Sequence, residues 1–189
     1  MAYGNTESRR RKQEVFTVKH YGVFDMIGPV MVGPSSSHTA GAARLGLFAR
    51  HLCGEEIKKA VCYMHGSFAE TYAGHGTDKA LLAGIQGIRY DDERLKSAYE
   101  LAGQKGIQAE FIPADLGEVH PNTVHMELTT ESGNVFTMTG SSIGGGSICI
   151  TEIDGVEVQW LPDIRMSPES SRGLRPSFTH IGLTSGICR

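Results

Sequence analysis

Apolar residues recur at helical spacing in some stretches of the chain and alternate with polar ones in others. From Ala40 to Leu52 the residues Ala42, Ala43, Leu45, Leu47, Phe48 and Leu52 fall on roughly helical spacing, and Gly54 follows where a glycine commonly closes a helix. This predicts a helix with Ser or Thr at its start. Thr77 to Gln86 repeats the logic, with a Gly-rich loop, a Thr-x-x-Lys start and the apolar stretch Ala80-Leu81-Leu82-Ala83. A third helix is expected from Asp91 to Gln104, opened by Asp91 and Asp92, whose charges suit the positive end of its dipole.

Ile57 to Met64 reads as a strand, with Val61 and Tyr63 alternating against Cys62 and its beginning exposed by Lys58 and Lys59. From Ile107 the period becomes two, over Ile107 to Ile112, Val124 to Leu128 and Val135 to Met138. Glu131-Ser132-Gly133-Asn134 joins the last two as a hairpin. Gly140 to Gly146 reads as a flexible Gly/Ser loop before a final strand, Ile148 to Ile153. The sum is an α+β fold, a mixed and mostly antiparallel sheet with helices packed on one face. Residues 1 to 20 are polar and charged and are expected to be flexible. Residues 161 to 189, rich in Ser, Pro, Arg and Gly, are expected to be a poorly ordered tail.

Composition narrows the classes of function. A chain of 189 residues with 40% hydrophobic content supports one core, and 18 basic against 21 acidic residues leave no electrostatic footprint for nucleic acid. The run Arg9-Arg10-Arg11-Lys12 is read as a solvated tail rather than a tether. No apolar run approaches the roughly 18 residues of a membrane span, and no signal-peptide core follows the basic run, so no membrane partner and a cytoplasmic location are expected. Cys53, Cys62, Cys149 and Cys188 lie far apart without CxxC pairing, which predicts buried, reduced thiols and no metal site.

Two segments carry chemistry. In Gly33-Pro34-Ser35-Ser36-Ser37-His38-Thr39-Ala40-Gly41, three hydroxyls and an imidazole precede a helix, where open backbone N–H groups favour a carboxylate or phosphate. The bland alternative is that Ser37 or Thr39 caps the helix while Ser35 and Ser36 fill a turn. In Gly74-His75-Gly76-Thr77-Asp78, an imidazole between two glycines stands beside a carboxylate. His75 suits a general base, with Asp78 to orient it, though Thr77 could simply cap a helix. His120-Pro121-Asn122-Thr123 places two hydrogen-bonding side chains around a rigid proline, or merely makes a turn. Ser141-Ser142-Ile143-Gly144-Gly145-Gly146 lacks the Lys-Ser/Thr pair of a P-loop and is read as a loop beside the site.

The order of Phe24-Asp25-Met26-Ile27-Gly28-Pro29, GPSSSHTAG at 33 to 41, GHGTDKALLAG at 74 to 84, HPNT at 120 to 123 and SIGGG at 142 to 146 resembles the β chain of bacterial iron-sulfur-dependent L-serine dehydratases. The resemblance covers roughly residues 21 to 155 and implies a serine dehydratase β domain over 21 to 160. It implies L-serine ammonia-lyase activity, giving pyruvate and ammonia, with a 4Fe-4S cluster held by a separate α chain in a hetero-oligomer. Within the matched motifs, their chemistry assigns His75, then His38, with Asp78, to catalysis, and Ser35, Ser36, Ser37, Thr39, Thr77, His120 and Asn122 to the substrate. Family β chains commonly continue into an ACT domain, whereas Leu161 to Arg189 resembles none, which points to a truncated, frameshifted or divergent chain. The domain also resembles the allosteric substrate-binding domain of some phosphoglycerate dehydrogenases, so a non-catalytic effector-binding role is the alternative. A stand-alone serine hydrolase lacks the G-x-S-x-G elbow.

Overall fold

The computed structural model describes residues 30–162. The expectations for residues 1 to 20 and for the tail beyond 162 lie outside the described residues. A π-helical turn, Ser36–Gly41, runs directly into α1, Ala42–Cys53, which stops at Gly54 in the left-handed region, φ 68°. Then follow β1, Ile57–Met64; α2, Gly66–His75; α3, Thr77–Ile85; a 3₁₀ turn, Glu93–Ser97, leading into α4, Ala98–Gln104; β2, Gln108–Pro113; β3, Thr123–Thr130; β4, Val135–Gly144; β5, Ser147–Ile153; and β6, Val156–Trp160.

The six strands form one sheet in the order β2-β1-β3-β4-β5-β6. β1 pairs β2 in parallel, because α2, α3 and α4 occupy the crossover between them, and every other neighbouring pair is antiparallel. Alternation decides the faces. Ala60, Cys62 and Met64 of β1 and Val124, Met126 and Leu128 of β3 are fully buried in one core with the helices, while Glu127 on the other face is exposed. Phe68, Leu45, Leu81, Leu82 and Ile85 supply the helical side of that core, each contributing about 1.5–3 kcal/mol by burial. The expected α+β architecture is therefore present.

Four local expectations change. Gly140 to Gly144 belongs to β4, and only the Gly145-Gly146 turn separates it from β5. Gly74 and His75 end a helix that the glycines concealed, although Phe68 and Tyr72 stand one turn apart within it. The segment after Asp91 is a 3₁₀ turn capped by the Asp92 carboxylate, which accepts the Arg94 N–H at 2.9 Å, and α4 begins only at Ala98. Cys53 and Cys62 are free thiols as expected, whereas Cys149 is disulfide-bonded.

Helices α1 and α3 meet backbone to backbone. A Cβ on Gly84 would stand 2.1 Å from the Ala43 carbonyl oxygen, and one on Gly46 would stand 2.4 Å from that of Leu81. Neither obstacle is a flexible side chain, so a methyl group must push the helices apart. Gly84→Ala is expected to lower the unfolding free energy by about 1–3 kcal/mol despite alanine's better helix propensity. Gly103→Ala, in α4 with nothing within 4 Å of the added carbon, is expected to raise it by up to about 1 kcal/mol. Urea unfolding midpoints of the two variants check the opposite signs.

Candidate active site

The two chemistry-bearing segments sit where helices begin. Ser35 caps the π-helical turn: its Oγ accepts the His38 backbone N–H at 3.2 Å, and the same Oγ lies 3.2 Å from Nδ1 of the His38 ring. The cap is therefore Ser35 rather than Ser37 or Thr39. π-Helical turns are rare and often stand at functional sites, and this one, wider than an α-turn, forms the entry to α1 and carries His38. Ser36 and Ser37 lie half-buried at its start and make no side-chain hydrogen bond. Thr39 points back onto Gly33, where a Cβ would fall 2.5 Å from its Oγ1.

His38 joins this turn to α2. Its Nε2 lies 3.1 Å from Ser67 Oγ, and its ring packs on Phe68 with centroids 5.4 Å apart and on His75 at 5.2 Å. His75 is the last residue of α2 and is exposed. Gly76 then closes α2 and opens α3 in a left-handed conformation, φ 70°, so no loop separates the two helices. Thr77 is fully buried as the first residue of α3. Asp78 does not orient His75, because its Oδ2 accepts the Tyr99 hydroxyl at 2.7 Å.

The other two segments close on the same place. The backbone of Pro121 packs against Gly66, the first residue of α2, where a Cβ would fall 2.7 Å from the Pro121 carbonyl oxygen. The Asn122 N–H donates to His120 Nδ1 at 3.1 Å, and the Ser142 N–H donates to the Asn122 carbonyl at 2.9 Å. Ser142 in turn lies on Gly41, where a Cβ would fall 2.0 Å from its Oγ. The segments at 33 to 41, 74 to 78, 120 to 123 and 142 to 146 are thus linked by direct contacts, with His38 and α2 between them. Ser67, Ser142 and Tyr99 join the candidate residues. Ser142 lay in a segment already singled out, whereas Ser67 was hidden with the helix that carries it.

The electrostatics keep His38 neutral. Burial, and next the charge of a protonated His75, hold it below its ordinary value of 6.5, against a hydrogen-bonding pull from the Ser67 backbone. Burial also lowers His120. For Tyr99, burial and then its bond to Asp78 keep the phenol protonated. Spare hydrogen-bonding capacity gathers here as well: Thr39 Oγ1, Thr77 Oγ1, Asp78 Oδ1, Asn122 Oδ1 and Ser142 Oγ are buried without a partner, and only one other such side-chain atom, Gln86 Oε1, occurs among the described residues.

An iron-sulfur cluster does not fit on the described part of this chain. No three His, Cys, Asp or Glu side chains come together there as a ligand set. Burial pushes the Cys53 and Cys62 thiols up to about 12, far from the thiolate that iron requires. Among the described residues no helix is long and apolar enough to cross a membrane.

Comparison with known proteins places the geometry in a family. The family described as "Serine dehydratase beta chain" matches residues 22–152. The chain is 51% identical over 142 residues to the probable L-serine dehydratase, beta chain, of Bacillus subtilis (strain 168), a match covering 75% of this chain and 64% of the relative. It is 43% identical over 141 residues to the L-serine dehydratase, beta chain, of Peptoniphilus asaccharolyticus, covering 74% and 64%. It also matches the longer L-serine dehydratase of Streptomyces coelicolor, 44% identical over 159 residues, covering 71% of this chain and 35% of the relative. These matches span just under two thirds of the two beta-chain relatives. With the matched residues embracing every segment that meets at His38, the chain belongs to the serine dehydratase beta chain family.

Proposed function

We propose that this chain is the β subunit of an L-serine ammonia-lyase, which converts L-serine to pyruvate and ammonia in the cytoplasm with a separate α chain that holds a 4Fe-4S cluster. The observation that carries the proposal is the contact of two imidazoles, His38 and His75, where four sequence segments converge. Dehydration of serine removes a proton from Cα and the hydroxyl from Cβ; the 2-aminoacrylate formed hydrolyses to the products. On the α chain, the cluster supplies a Lewis acid for the departing hydroxyl.

The residues of this chain take the remaining tasks. His75 exchanges the proton, since its ring is exposed and makes no hydrogen bond. His38, engaged by a hydroxyl at each nitrogen, stays neutral beside it, so the pair carries one positive charge when His75 is protonated. Ser36 and Ser37, with the open N–H groups of the first turn, receive the substrate carboxylate. Thr39, Thr77 and Asn122 offer buried oxygens without partners, and Asp78 is kept in place by Tyr99. Ser35 and His120 act one step back, on His38 and on Asn122.

The test is anaerobic co-production with the α chain, followed by iron content and pyruvate formed from L-serine. His75→Ala is expected to lower kcat by roughly 10²–10⁴ with iron content unchanged. Near wild-type turnover would sink the assignment of His75, and a complex preferring L-threonine would sink the substrate. An isolated chain that binds serine yet yields no active complex would favour the effector-binding alternative.

A second expectation concerns pH. A histidine whose folded pKa is depressed contributes stability that is complete above its unfolded value and is lost as pH falls from 6.5 toward the folded value. His38 and His120 both act in this sense. Unfolding free energy is expected to drop between pH 7 and 5, and His38→Gln to flatten that drop in urea titrations at each pH.

A further inference from the structure

We infer that Ser67 is a positioning residue for the two-imidazole site: through His38 Nε2 it fixes the His38 ring, and with it the neighbour against which His75 works. The inference rests on the proposal that His75 exchanges the proton. Its structural part, the capture of His38, is independent of any reaction. Ser67 is the second residue of α2 and His75 the last, so about 12 Å of one helix separates their Cα atoms. Side chains on a helix lean toward its N-terminus, which lets His75 reach back to the ring that Ser67 holds.

The hydrogen bonds around His38 form a closed set. Ser35 Oγ accepts the His38 backbone N–H and also meets Nδ1 at 3.2 Å; Ser67 Oγ meets Nε2 at 3.1 Å. A neutral imidazole has one donor and one acceptor nitrogen, and a hydroxyl can serve either. Two patterns satisfy every group: Nδ1–H to Ser35 with the Ser67 hydroxyl donating to Nε2, or the Ser35 hydroxyl donating to Nδ1 with Nε2–H to Ser67. Both need Ser67. Ser35 is three residues from His38 and can turn with it, whereas Ser67 is 29 residues away on another element. Among the described residues, the Ser67 bond is the only side-chain hydrogen bond between the 33 to 41 segment and α2. Phe68, next in sequence, closes off the ring at 5.4 Å between centroids and blocks another resting place.

Removing the Ser67 hydroxyl takes away the side-chain partner of Nε2 in a half-buried position and loosens the hold on the ring. Nitrogen-15 NMR of the imidazoles in the full chain reads this directly, with His38 assigned by His38→Gln. The wild-type ring is expected to show a single hydrogen-bonded neutral tautomer at pH 7.5. Ser67→Ala is expected to give the averaged pattern of a free imidazole with amide dispersion unchanged, and Ser67→Thr, which keeps the hydroxyl, to restore the single tautomer. In the complex with the α chain, turnover of Ser67→Ala is expected to fall roughly tenfold, the scale of one lost side-chain hydrogen bond, with KM held and Ser67→Thr recovering most of it. A Ser67→Ala spectrum identical to wild type, or a Ser67→Thr variant as impaired as Ser67→Ala, overturns the inference. Should the complex never turn over serine while the spectra change as expected, the proposed function fails and the role of Ser67 toward His38 stands.

Discussion

The close backbone contact of α1 with α3 at Gly46 and Gly84 is the constraint on which the rest of the structure depends. Each helix opens on a chemistry-bearing segment, Ser36–Gly41 before α1 and His75 with Gly76 before α3. Helices that touch through glycine and carbonyl oxygen have little slack, because no side chain lies between them to repack. The distance between the two openings is thereby set in the core, beneath the site, by residues with no chemistry of their own. The sheet then serves as the floor of that core, its helix-facing positions filled by Met126, Leu128 and Ile150 and its other face left largely polar.

Above this frame, the site is assembled by contacts that a single methyl group would prevent. Gly41 receives Ser142, Gly66 receives Pro121 and Gly33 receives Thr39, each at a separation where a Cβ could not stand. Glycine in these segments serves close approach first and ligand access second. Gly33 and Gly66 also need positive φ, while Gly41 lies in a helical conformation and is required for space alone.

Much of this was legible in the chain. The stripe from Ala42 to Leu52 and the alternation at 124 to 128 follow one periodicity each, and both elements stand where those periods placed them. The two segments at 33 to 41 and 74 to 78 were readable as sites because hydroxyls and imidazoles gathered at helix openings. What escaped was masked by glycine. Gly74 and Gly76 around His75 read as a loop, yet only Gly76 has a positive φ; Gly74 is an ordinary helical residue. Likewise Gly140 and Gly144 disguised the end of β4, where Gly140 instead makes room for Leu45 and Ile150. The pairing of Asp78 with Tyr99 rather than His75 could not be read, because Tyr99 lies 21 residues away and only the packing of α4 brings it near.

The joint at Gly76 has a further consequence for how such chains can diverge. One residue ends the helix bearing His75 and begins the helix bearing Thr77, so the angular relation of imidazole to hydroxyl is a matter of counting residues. Adding or deleting one position between Ser67 and His75 would swing His75 about the axis of its helix by about 100°, away from His38. Substitution can be absorbed along the outer surfaces of either helix, but change of length cannot, and descent at this point is confined to spelling without editing the number of letters.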